Sequence, residues 1–83
     1  MAYSISYKRS VAKDLKHISK QEKNRILDQV EQALSSDPYR CPQLKGDYAG
    51  LRRLRVGNYR VIYAITAMDV LVLRIGHRQD VYR

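Results

Sequence analysis

Eighty-three residues with 45% hydrophobic content suffice for one small domain, 1–83, with a modest core, and argue against a disordered chain. Sixteen Lys/Arg against eight Asp/Glu give a formal charge of +8, which favours polyanionic partners and repels itself. A lone cysteine, Cys41, excludes an internal disulfide and a multi-cysteine metal site, and no stretch approaches the ~18–20 apolar residues that span a bilayer. The start shows no basic segment followed by an apolar run, so no signal peptide is expected and a reducing cytoplasm is the expected location.

Tyr3, Ile5 and Tyr7 alternate with Ser4 and Ser6, the period-two pattern of a strand with one apolar face. Ser10 then reads as a helix N-cap. Val11, Leu15 and Ile18 follow at spacings of four and three on one face of a short helix. Ser19 and Glu22 form the pattern S-x-x-E that opens a second helix, because each side chain can satisfy the other's exposed backbone N–H. Ile26, Leu27, Val30, Ala33 and Leu34 make its apolar stripe, and Asp37-Pro38 stops it. Residues 37–50 form a loop. A second strand runs from Leu51 to Val56, Gly57-Asn58 is a two-residue hairpin turn, and a third strand spans Tyr59 to Ile65. Thr66 to Asp69 make another turn. The fourth strand, Val70 to Ile75, is apolar except for Arg74, which predicts a central strand buried on both faces. Gly46, Gly50, Gly57 and Gly76 read as turn positions. The order β-α-α-β-β-β predicts an α+β domain with an antiparallel sheet and a helical hairpin on one face.

The charge is unevenly placed. Residues 1–39 carry seven Lys/Arg and five acids, and residues 40–83 carry nine and three. Lysine stops at Lys45, after which every cationic side chain besides His77 is arginine: Arg52, Arg53, Arg55, Arg60, Arg74, Arg78 and Arg83. Arginine is a planar fork that binds phosphate bidentately, whereas lysine is a hydrated point charge. Period-two geometry puts Arg53 and Arg55 on one face of the second strand and Leu54 and Val56 on the other. Like charges side by side on a strand are destabilising, so a neutralising ligand, a phosphate chain above all, is the expected occupant of that face. Arg52 shares the face of Leu54 and reads as a rim residue. Arg74 reads as structural, reaching the sheet edge or pairing with Asp69 or Asp80. Tyr3, Tyr7, Tyr59 and Tyr63 read as core or rim aromatics, and His17 as a solvated helix residue.

The stretch LRRLRVGNYRVIY, a short turn, and then VLVLRIGHRQDVY resembles the RelE toxins of the RelE/ParE superfamily, and Leu44-Lys45-Gly46 and the β-α-α start are similar too. The resemblance implies a microbial-ribonuclease-like fold. It implies a toxin of a type II toxin–antitoxin pair that cuts mRNA in the ribosomal A site as a metal-independent, cofactor-free endoribonuclease, with a small acidic RelB-like antitoxin, the ribosome and mRNA as partners. Carried over by position, it implies that Arg53, Arg60 and Arg78 surround the reacting phosphate, with Tyr82 in the tail. Leu51 falls where some members have a second catalytic lysine, and His77 falls where others carry lysine beside the arginine.

The chemistry of RNA cleavage agrees with those residue types. The 2′-OH must lose its proton, the charge on phosphorus must be stabilised, and the leaving 5′-oxygen must be protonated. Arginines serve the second need and cannot serve the first. Arg60 and Arg78 are thus expected to clamp the phosphate with help from Arg53, while Tyr82 or His77 moves protons. Arg55, Arg52 and Lys45 are the expected further RNA contacts. Two other classes fit the same charge pattern: a ParE-like toxin that inhibits DNA gyrase without cutting RNA, and a non-catalytic basic nucleic-acid-binding module.

Overall fold

The structure is a computed structural model and describes residues 2–46 and 50–77. Seven elements follow in order: β1 (Ser4–Tyr7), α1 (Arg9–Lys16), α2 (Lys20–Ser36), a 3₁₀ turn (Pro38–Arg40), β2 (Arg52–Val56), β3 (Tyr59–Thr66) and β4 (Asp69–His77). The α+β class and the element order are those expected. The sheet is mixed rather than antiparallel throughout. Its order is β1-β4-β3-β2, with β2, β3 and β4 antiparallel and β1 parallel to β4. Alternation along Tyr3–Tyr7 identifies a strand but carries no information about its direction beside a neighbour.

Strand passes into helix with no connecting loop. Lys8 still donates its N–H to the Val72 carbonyl at 2.8 Å, as the last rung beside β4, and is already the N-cap of α1. Ser10 therefore lies inside the first helical turn instead of capping it. Eight residues are too few for a stable isolated helix, so α1 depends on packing. Val11 is fully buried, and Leu15 and Ile18 lie against the core. The second helix starts as its sequence predicts, with the Ser19 hydroxyl accepting from the Glu22 N–H at 3.3 Å. Ile26, Val30 and Leu34, four residues apart, are completely buried. Each such side chain stabilises the fold by about 1.5–3 kcal/mol on transfer from water.

The core fills the space between α2 and one face of the sheet: Val56, Val61, Tyr63, Val70, Val72 and Ile75 meet Ile26, Val30 and Leu34. Tyr63 is its largest fully buried side chain, and its hydroxyl donates to the Pro38 carbonyl at 2.6 Å, tying β3 to the 3₁₀ turn. Tyr7, at the other edge, points its hydroxyl at Glu31 Oε1 at 3.5 Å; burial first, then the Glu31 charge, push its pKa up to about 12.

Burial on both faces of β4 is not observed. Val70, Val72 and Ile75 are buried, but Leu71 is 38% exposed. The strand is central because it pairs on both edges, and the helices cover only one of its faces. Gly76 lies within β4 rather than in a turn. Opposite Ile62 and Tyr63 the register jumps from Arg74 to Val72, so Leu73 is an extra, bulged residue. Both hairpins close on two residues. Gly57 takes φ +59° in the first, as the turn requires. Ala67 takes φ +53° in the second, a left-handed conformation in which its Cβ is crowded.

Candidate nucleic-acid interface

The face of the sheet turned away from the helices collects arginines of β2 and β3 around the buried Ile62. Leu54 and Val56 face the helices, so Arg53 and Arg55 face away from them. On β3 the odd positions Val61 and Tyr63 enter the core, so Arg60 and Ile62 share the outer face. The register places Arg55 directly across from Arg60, and Arg53 across from Ile62. Directly opposed residues have Cβ atoms about 4.5–5.5 Å apart and diagonal ones about 7–8 Å, so Arg55 is the immediate neighbour of Arg60 on this face and Arg53 its diagonal one. Arg55 is exposed and donates from Nε to the Gly57 carbonyl at 3.3 Å, while Arg53 and Arg60 are half-buried. On the far side of Arg60 the β4 partner is Gly76, which has no side chain to compete for the space.

The other expected residues are dispersed. Arg52 faces the helices: its Nη1 donates to the Tyr39 carbonyl at 3.2 Å and to the Cys41 carbonyl, and its guanidinium lies over the Tyr39 ring, 5.2 Å from the centroid. It anchors the 3₁₀ turn to β2. Lys45 is exposed beyond the opposite end of β2 from the hairpin, next to Leu44, whose N–H bonds to the Leu51 carbonyl at 2.8 Å. His77 is across from Tyr59 and packs edge-on against its ring with centroids 5.9 Å apart. Tyr59 packs on the core side, so His77 does not share the face of Arg53, Arg55 and Arg60. Arg78 and Tyr82 lie outside the described residues.

Arg74 is indeed structural, and among the described residues its partner is Asp14 rather than Asp69, while Asp80 lies outside the described residues. Its Nε contacts Asp14 Oδ2 at 3.2 Å, and the same oxygen accepts the Ile75 N–H at 3.0 Å. Asp14 was missed in the sequence, although a signal was present: with Val11, Leu15 and Ile18 it completes an i, i+3, i+4, i+7 stripe, an acid in the buried face of a helix.

A group of arginines on one face of a sheet should bind a tetrahedral anion that the unfolded chain does not bind. Adding sulfate at constant ionic strength is expected to raise the melting temperature of the wild type more than that of Arg60→Ala. Binding worth about 1 kcal/mol raises it by roughly 4–8 °C in a domain of this size. Equal rises in both proteins would reduce the effect to general salt exclusion.

Fold and site together define a small basic α+β protein that presents arginines on the face of a mixed sheet turned away from its helices, a surface suited to phosphate chains. The chain belongs to the RelE/ParE toxin family: residues 5–82 match the family described as the ParE toxin of type II toxin–antitoxin systems. It is a toxin of such a system by that membership. It is 28% identical over 83 residues to toxin RelE3 of Methanocaldococcus jannaschii, covering 94% of this chain and 93% of that protein. Among solved structures it resembles the RelBE2 toxin–antitoxin complex of Mycobacterium tuberculosis, with a TM-score of 0.87 and 26% identity over 96% of this chain and 95% of that one. A mutant of the E. coli toxin RelE in the free state shares the fold at a TM-score of 0.75 and 17% identity, over 93% of this chain and 84% of that one. Among the described residues no helix is long and apolar enough to cross a membrane.

Proposed function

We propose that this toxin is a ribosome-dependent endoribonuclease that cuts mRNA in the ribosomal A site and acts in the cytoplasm. The observation that carries the reading is the grouping of Arg53, Arg55 and Arg60 on the sheet face turned away from the helices. In this reaction the 2′-oxygen bonds to phosphorus as the bond to the 5′-oxygen breaks. Arg60 and Arg78 clamp the non-bridging oxygens, Arg53 assists and Arg55 supports. Permanently charged guanidinium groups stabilise the extra negative charge of the phosphorane without taking part in proton transfer. Tyr82 carries the proton in preference to His77, since the His77 ring is engaged with Tyr59 on the other side of the sheet. Arg52 and Lys45 contribute at most peripheral RNA contacts.

The partner that silences the toxin is a small acidic antitoxin of RelB type. Support comes from the relatives solved as RelB–RelE complexes in Mycobacterium tuberculosis and Methanococcus jannaschii. Antitoxin carboxylates meeting the arginine face would neutralise the repulsion there and block the phosphate site in one step.

A second reading, inhibition of DNA gyrase without RNA cleavage, has a specific observation in its favour, the ParE description of the matching family. Primer extension on mRNA paused on ribosomes separates the two. Cuts within the A-site codon are expected. Uncut mRNA with a competent ribosome preparation, together with loss of gyrase supercoiling activity, would replace the first reading by the second.

A further inference from the structure

The strand β1 ends too early to cover β4. Its last pair is Tyr7 with Val72, and Lys8 supplies the final rung to the Val72 carbonyl. From there α1 runs beside β4, which continues to His77. On this uncovered edge the side chain of Asp14 occupies the place of a strand. One oxygen, Oδ2, accepts the Ile75 N–H at 3.0 Å and the Arg74 Nε at 3.2 Å. The carboxylate is only 15% exposed, while the Arg74 side chain is 38% exposed, so the contact is shielded on the Asp14 side alone.

The position of this contact is informative. It falls immediately after the bulge at Leu73, where the register against β3 has just changed. A bulged strand that has also lost its neighbour on one edge is poorly determined. Beyond the contact, Gly76 lies across from Arg60, and the next residue after His77 is Arg78. Arg74 is itself across from Ile62, whose side chain lies on the arginine face, yet its guanidinium is held at Asp14.

We propose that Asp14 is a positioning residue for the anion site: from α1 it pins the end of β4, setting the strand's placement beside Arg60, and it keeps Arg74 out of the phosphate cluster. Its influence on cleavage rests on the nuclease reading above, whereas the clamp itself does not.

The test uses the full chain as wild type, Asp14→Ala and Asp14→Asn, with two readouts. In Asp14→Ala the Ile75 amide is expected to exchange about tenfold faster or more, while Leu54, on the far side of the sheet, changes by less than about twofold. The maximal single-turnover cleavage rate on paused ribosomes is expected to fall about tenfold, with the half-saturating toxin concentration unchanged, as for a misplaced catalytic group. Asparagine retains a carbonyl oxygen for the Ile75 N–H and is expected to restore both. Equal acceleration at Ile75 and Leu54 would reduce Asp14 to a contributor to global stability and overturn the proposal. So would an unchanged Ile75 amide, full-rate cleavage by Asp14→Ala, or failure of Asp14→Asn to rescue. A wild type that never cuts mRNA would sink the nuclease reading instead, and amide exchange alone would then decide whether the clamp exists.

Discussion

Replacing Arg60 with alanine is expected to lower the maximal rate of ribosome-dependent cleavage by about 10²–10³-fold, the usual loss when one preorganised donor to a developing oxyanion is removed. Arg60 has the central place in the cluster, with Arg55 across one edge of its strand and Gly76 across the other. Arg60→Lys should recover part of the loss, because it keeps the charge but not the fork. Arg55→Ala should cost much less, since that side chain is exposed and occupied with the Gly57 carbonyl. Arg60 is half-buried on the sheet surface, so Arg60→Ala is expected to remain folded at the assay temperature while losing activity. Single-turnover primer extension paired with thermal melting checks both. An Arg60→Ala protein that cuts at nearly the wild-type rate would remove the arginine face from the chemistry.

Tyr63→Ala should have the largest effect on folding, about 3–5 kcal/mol, as for other large aromatic side chains deleted from a core. The ring is fully buried, and its hydroxyl donates to the Pro38 carbonyl at 2.6 Å. Burial, and after it the neighbouring Cys41 thiol, push the hydroxyl far above the ordinary tyrosine pKa, so it remains a protonated donor at any pH the protein meets. Tyr63→Phe keeps the ring and leaves that carbonyl without its donor, which costs about 1–3 kcal/mol. Domains are stable by only about 5–15 kcal/mol, and one this small and this charged sits low in that range. Urea denaturation should show Tyr63→Phe folded with a lower midpoint, and Tyr63→Ala substantially unfolded without denaturant. Equal midpoints for wild type and Tyr63→Phe would mean that the bond to Pro38 contributes nothing net.

The parts of this molecule that could be read in advance are those governed by a short repeat. Alternation in LRRLRV separates Arg53 and Arg55 from Leu54 and Val56, and the spacing of Ile26, Val30 and Leu34 locates the buried face of α2. What could not be read depends on breaks in a repeat or on distant contacts. His77 shows the first case. Strict alternation from Leu71 would carry it to the arginine face, but the extra residue at Leu73 reverses the parity, so Ile75 joins Val70 and Val72 in the core and His77 joins Tyr59. Asp14 shows the second. Its partners are 60 and 61 residues away, and a lone acid on a short basic helix otherwise reads as a solvated charge. The parallel alignment of β1 is a third, because alternation is the same in either direction.

The sheet order also governs how the toxin comes into being. The strand β4 lies between β1 and β3 and contributes Val70, Val72 and Ile75 to the core, yet among the described residues it is the last strand to be synthesised. Until it emerges, the nascent chain holds a helical hairpin and a two-stranded ribbon that lack the Val70, Val72 and Ile75 part of their common core, and a lone hairpin is marginal in water. Closing the sheet then requires pairing residues more than 60 positions apart, the kind of contact that slows folding. The arginine face is therefore assembled only after translation has passed β4. A chain truncated within that strand carries the cations of β2 and β3 without the central strand that completes their platform.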